Sequence, residues 1–83
     1  MMKLYQAEWC PYCARVRSKM TDLGLTYINV DVARNRADRK DLLEVSGQTG
    51  IPTLVDGETI IADDDAAIVE YLEKNYHSQA PQG

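Results

Sequence analysis

The chain has 83 residues, 45% of them hydrophobic and 27% charged, and a formal net charge of -4. That length supports one small domain with a modest core and excludes a second lobe; the acid surplus argues against nucleic acid as the main partner. Neither an apolar run of roughly 18 residues nor the long apolar centre of a signal peptide is present, so no membrane partner and a cytoplasmic location are expected.

Residues 3–7 read as a short strand around Leu4, and Glu8 and Trp9 lead out of it. Pro11 suits the first turn of a helix, where its missing N–H costs nothing. Cys13, Val16, Met20 and Leu23 then recur at intervals of three and four, one apolar stripe with Arg15, Ser18, Lys19 and Asp22 facing away, until Gly24 stops it. Residues 26–32 alternate apolar and polar types and are rich in β-branched and aromatic side chains, a second strand. A helix intervenes, so this strand should run parallel to the first. A second helix is expected from Asn35 or Arg36 to Ser46, capped by Asn35 and ended by Gly47, with Ala37, Leu42, Leu43 and Val45 available to the core.

The loop 48–52 leads into a strand at 53–55, then Asp56-Gly57, a hairpin signal, then a strand at 58–62. The last helix is expected over about 64–76, with Ala67, Ile68, Tyr71 and Leu72 on one face and Asp63, Asp64 and Asp65 at its positive end. Residues 77–83 have little to bury and are expected to form a flexible tail. The sum is an α/β domain over 1–76 in the order βαβαββα, a four-stranded mixed sheet flanked by three helices.

Cys10 and Cys13 stand where the first strand gives way to the first helix, in a chain with no other cysteine. A permanent bridge would close too short a loop to restrain the unfolded chain much. Structural zinc would need four ligands, and besides the two cysteines only His77 is at hand. Two small core residues would fit Cys13 but not Cys10 at a helix mouth. A reversible dithiol explains both positions. Free helix amides and the helix dipole point at the Cys10 sulfur and favour a thiolate; pairs so placed have thiol pKa values on the order of 3.5 to 7.5, against about 8.5 for a free cysteine. Cys13, a turn deeper, is expected to be less exposed and to resolve the mixed disulfide. Arg15, Arg17 and Lys19, with Arg34, Arg36, Arg39 and Lys40, are either solvated helix faces or a positive field beside the thiols.

Cys10-Pro11-Tyr12-Cys13, after a strand and opening a helix, resembles the active site of the glutaredoxins, within the thioredoxin-fold superfamily. Residues 46–53, Ser-Gly-Gln-Thr-Gly-Ile-Pro-Thr, resemble that family's loop before its cis-proline, and the resemblance extends to about Tyr76. It implies a thioredoxin-like fold and a thiol-disulfide oxidoreductase. Its partners would be disulfide-containing proteins and glutathione or another low-molecular-weight thiol as co-substrate, with a flavoprotein reductase as a further electron source. No tightly bound cofactor, no metal and a monomer are expected.

If Ile51-Pro52 is cis, as the resemblance implies, the Ile51 peptide groups turn toward Cys10 to pair with a bound thiol peptide like an added strand; a tight trans turn is the alternative. By position Asp65, with Asp64 beside it, matches the acid that pairs with the ammonium of glutathione in this family, while capping of the last helix wants the same residues. Tyr12 is expected as a substrate wall, and Trp9 either as another or as a packing residue.

The chain departs from the family at Ala7, where a Lys is usual, at Ile61-Ala62 in place of a Gly pair, and at Gly50 in place of Thr. Trp9 is more like thioredoxins and mycoredoxins, and residues 54–57 with 67–72 also resemble the N-terminal domain of glutathione transferases. Two further readings follow from the resemblance: a [2Fe–2S] cluster shared by two copies through Cys10 and two glutathiones, and a dedicated electron donor, for example to ribonucleotide reductase.

Overall fold

Leu4 and Tyr5, adjacent on the first strand, serve opposite faces of the sheet, as the two-residue period of an extended chain requires. The computed structural model describes residues 1–76; the expected tail, 77–83, lies outside the described residues. Strands β1 (Lys3–Gln6), β2 (Ile28–Asp31), β3 (Thr53–Asp56) and β4 (Thr59–Ala62) form one mixed sheet in the order β2-β1-β3-β4. β1 is parallel to β2, with Leu4 opposite Asn29, and antiparallel to β3, with Leu4 opposite Leu54. Helices α1 (Pro11–Asp22), α2 (Lys40–Ser46) and α3 (Asp65–Asn75) complete the thioredoxin-like arrangement.

The core lies where α1 and α3 cover the sheet. Leu4, Val16, Met20, Leu54, Ile68 and Leu72 are fully buried there, each contributing on the order of 1.5–3 kcal/mol by leaving water. The α1 stripe comes out as expected, with Cys13, Val16 and Met20 buried. In α3 the buried residues are Ile68, Val69 and Leu72, while Ala67 and Tyr71 are half-buried.

Three departures from the expected boundaries have a local reason. β2 begins only at Ile28, where pairing with Lys3 starts. The second helix is broken into a short 3-10 turn, Arg36–Asp38, and α2, with Arg39 between them at φ -90 and ψ 55. Asn35 caps the short turn, accepting the Ala37 N–H at 3.1 Å. Arg39 breaks the helix because its side chain turns inward: it donates from Nε to the Ala33 carbonyl at 2.7 Å, and from its terminal nitrogens to the carbonyls of Thr49 at 2.9 Å and Arg34 at 3.1 Å. Of the expected core residues here only Leu42 is buried; Leu43 is half exposed, Ala37 is exposed, and Val45 is half-buried.

The hairpin turn falls one residue later than Asp56-Gly57. Asp56 pairs with Thr59, and the two-residue loop is Gly57 and Glu58, with Gly57 at φ 61, a conformation that glycine adopts without strain. Asp56 remains in the strand, and its carboxylate accepts the hydroxyls of both Tyr71 and Tyr76. That pairing holds both phenols up from their ordinary value of 10, Tyr76 to about 12.

Candidate active site

Cys10 is the N-cap of α1. Its backbone is extended (φ -83, ψ 117), Pro11 occupies the first helical position, and Sγ accepts the Cys13 N–H at 3.3 Å. The Cys10 N–H in turn bonds the Ala7 carbonyl at 3.2 Å, which closes the turn out of β1. Sulfur thus takes the place that a Ser or Asp oxygen usually takes at a helix start. Both cysteines are free thiols.

Cys13 is wholly buried and Cys10 is 4% exposed, so the expected order holds. Burial, and next its hydrogen bond to Cys10, push the Cys13 thiol from its ordinary 9.0 up to about 12; the Ala7 N–H and the charge of Arg17 pull the other way. Cys10 is nonetheless more enclosed than a helix-mouth position implies. It packs in one buried cluster with Ala7 and Cys13, against which Ile51 lies.

The Ile51–Pro52 peptide bond is cis, Pro52 is buried, and Ile51 lies against the cysteines. Tyr12, 62% exposed, lines a cavity of about 180 Å³ together with Ile51, Pro52, Asp63 and Asp65. Trp9, next to Cys10 in sequence, is half exposed, and the guanidinium of Arg34 sits 4.6 Å from its ring centroid, within cation–π range. Trp9 is therefore a surface residue and not a core one.

The two expected acids part company. Asp64 is the N-cap of α3, its Oδ1 accepting the Ala67 N–H at 3.0 Å, and it does not reach the cavity: the capping use is the one realised. Asp65 does line the cavity, but its Oδ2 already accepts from Arg15 at 2.8 Å. The acid that sequence reasoning passed over is Asp63. Its φ of 54 and its N–H bond to the Pro52 carbonyl at 2.9 Å turn it toward the cavity, and its carboxylate lies over Gly50. A Cβ at position 50 would collide with that carboxylate, which explains why this chain has glycine beside Ile51. The available signal was a third acid in the acidic run, at a strand end.

The basic residues are not simply solvated faces. Arg15 ties α1 to α3 through Asp65. Arg17 turns inward to the buried Gln6 and the Ala7 carbonyl. Arg36 bonds the Thr49 hydroxyl at 3.3 Å, and the buried Arg39 joins the 33–34 segment to the loop that carries Ile51. A larger cavity of about 320 Å³, lined by Tyr5, Val30, Arg39 and Leu42 among others, includes neither cysteine.

A helix capped by a cysteine, a second thiol kept protonated beneath it, and a cis-proline loop against both make a dithiol redox centre. The family model described as Glutaredoxin matches residues 2–61. An uncharacterized glutaredoxin-like 8.6 kDa protein in the rubredoxin operon of Clostridium pasteurianum is 28% identical over 75 residues, covering 89% of this chain and 100% of that protein. Glutaredoxin 3 of Escherichia coli is 29% identical over 65 residues, 77% of this chain and 78% of that one. Among solved structures, glutathione transferase E6 of Drosophila melanogaster superposes with a TM-score of 0.81 at 30% identity, covering 95% of this chain and 36% of that chain. The trimeric glutathione transferase TDR1 of Leishmania does so with 0.78 at 26% identity, covering 99% and 18%. The chain therefore spans only a minor part of the length of these transferases. It belongs to the glutaredoxin family and is a thiol-disulfide oxidoreductase.

Proposed function

We propose that the protein reduces protein disulfides, or mixed disulfides with a low-molecular-weight thiol, through Cys10 and Cys13. The Cys10 thiolate attacks one sulfur of the substrate disulfide; that bond breaks, the other sulfur leaves as a thiol after taking up a proton, and Cys10 is left in a mixed disulfide. Cys13, or a second small thiol, then attacks the Cys10 sulfur and releases the remaining half. The observation that carries this reading is the Cys10 Sγ standing at the helix N-cap as acceptor of the Cys13 N–H, with the protonated Cys13 beneath it. A substrate segment would run past Ile51 in the manner of an added strand, between the walls of Tyr12 and Trp9.

Glutathione is a suitable co-substrate, with one change from the family pattern. Asp65 is held by Arg15, so Asp63 is the acid for the ammonium of a γ-glutamyl thiol. A reducing compartment such as the cytoplasm suits a free dithiol. Whether a flavoprotein reductase or a thiol pool supplies the electrons is decided by the same experiment that tests the reading: disulfide reduction with glutathione plus its reductase, set against thioredoxin plus its reductase. Cys10→Ser is expected to be inactive with either system, while Cys13→Ser keeps part of its activity on glutathione mixed disulfides. Activity of Cys10→Ser equal to that of the parent would overturn the proposal.

A further inference from the structure

Behind the cysteine pair lies a polar cluster that the steps above do not use. Gln6 is fully buried, and its Nε2 donates to Asp31 Oδ1 at 2.6 Å and to Glu8 Oε2 at 3.1 Å. Its Oε1 accepts from Arg17 Nη1, which also reaches the Ala7 carbonyl at 3.4 Å and forms an ion pair with Glu8 at 3.7 Å. Ala7 is the hinge of the arrangement. Its carbonyl accepts the Cys10 N–H, and its peptide group favours the Cys13 thiolate. A buried glutamine whose side-chain oxygen and nitrogen are both engaged holds an arginine in one place, against the Ala7 carbonyl that receives the Cys10 N–H.

We propose that Arg17 is a positioning residue for the second half of the reaction: held by Gln6 and the Ala7 carbonyl, it sets a positive charge near Cys13, so that Cys13 can attack once Cys10 is occupied. This inference rests on the dithiol reading above. In that step Cys13 gives its proton to solvent and its thiolate attacks the Cys10 sulfur. The bond from Cys10 to the partner breaks as the Cys10–Cys13 disulfide forms, and the partner leaves as a thiolate that takes up a proton. The protein pair loses two electrons, and the two partner thiols released over the whole cycle gain them.

The timing follows from the causes acting on Cys13. Two of the influences that keep it protonated come from Cys10 itself, a hydrogen bond and a like charge. Both vanish when Cys10 is tied into a mixed disulfide. Burial then stands opposed by Arg17 and the Ala7 N–H alone. The charged or titratable groups around Cys13 are Cys10 and Arg17 on its own helix, Glu8 on the preceding turn and, one hydrogen bond further, Asp31 on β2. Residues 50–53 bring none, and Asp65 of α3 is committed to Arg15.

The test is a single-turnover reaction of the reduced full-length protein with one equivalent of an aromatic disulfide whose thiolate is coloured. The first burst of colour reports attack by Cys10, the second attack by Cys13. Arg17→Gln is expected to leave the first phase unchanged and to slow the second about two- to fivefold near pH 7, because fewer Cys13 thiolates form and each is only partly compensated by higher nucleophilicity. The pH midpoint of the second phase should rise, and Arg17→Lys should restore most of it. Glu8→Gln, at an exposed position, removes the counter-charge and should lower that midpoint, a check that survives if Arg17→Gln folds poorly. A second phase and midpoint untouched by both variants would overturn the proposal, as would equal slowing of both phases. Loss of the first phase in Cys10→Ser belongs to the dithiol reading and is independent of either outcome.

Discussion

The two sides of the sheet are held together by different physics. Under α1 and α3 the contacts are apolar, with Leu4, Val16, Met20, Leu54, Ile68 and Leu72 fully buried. On the side of α2 and the loop that follows it, the ties are polar. Arg39 binds three carbonyls, the Ser46 hydroxyl donates to the Leu42 carbonyl, and Gln48 bridges the Ser46 and Thr53 hydroxyls while accepting the Gly50 N–H at 2.6 Å. Apolar burial is non-directional and rewards area; hydrogen bonds are directional and fix position. The first side carries stability, and the second fixes Ile51 against Cys10. Measuring unfolding free energy and the alkylation rate of Cys10 on the same variants separates the two.

Leu54→Ala on the apolar side should cost the most, about 2–5 kcal/mol through lost transfer energy and the cavity left behind. Denaturant titration should show this loss while the Cys10 alkylation rate of the folded fraction stays at the parent value.

Cys13, buried on α1 with Ile51 packed against its cluster, should show its effect at high pH. Its folded-state value is raised from 9.0 to about 12, so the native state keeps a proton that the unfolded chain releases. The stabilisation is complete below about pH 9 and is lost as pH rises toward 12, a few kcal/mol at most. Tyr71 and Tyr76 titrate upward in the same range, so the readout is the difference between parent and Cys13→Ser, which lacks this part of the loss.

Arg39→Met on the polar side should cost about 1–3 kcal/mol, from carbonyls left without their donor. Unlike Leu54→Ala it should also change the Cys10 alkylation rate, because Arg39 is the tie between residues 33–34 and Thr49.

Gly50→Ala should be the mildest, within about 1 kcal/mol, since the group it strikes is the end of the exposed Asp63 side chain. Its effect should be on binding: displacing that carboxylate raises the KM for a γ-glutamyl thiol while leaving kcat nearly unchanged.

The same contrast explains how much of the molecule was legible beforehand. The α1 stripe and the βαβαββα order follow from spacing, because apolar periodicity and the apolar side speak the same language. The broken second helix was not legible, since nothing in a run of basic residues marks Arg39 as the one that turns inward to three carbonyls. The placement of Cys10 and Cys13 at the helix start followed from their spacing, and that of Ile51 and Pro52 from the likeness of residues 46–53 to the family's cis-proline loop. The acids were not readable: Asp65 finds its partner 50 residues away in Arg15, and Asp63 owes its place to the space left by Gly50. Pairing decides how three adjacent aspartates are used: Asp64 caps the helix, Asp65 is tied to Arg15, and Asp63 lies over Gly50.

Cys10 holds the start of α1 with the same atom that exchanges bonds in the proposed reaction. A sulfur shared with a partner has less electron density to offer an N–H than a thiolate does. The opening turn of the helix is therefore firmest when the protein is reduced and loosens each time a partner is attached, which makes hydrogen exchange at the Cys13 amide a clock for the catalytic cycle.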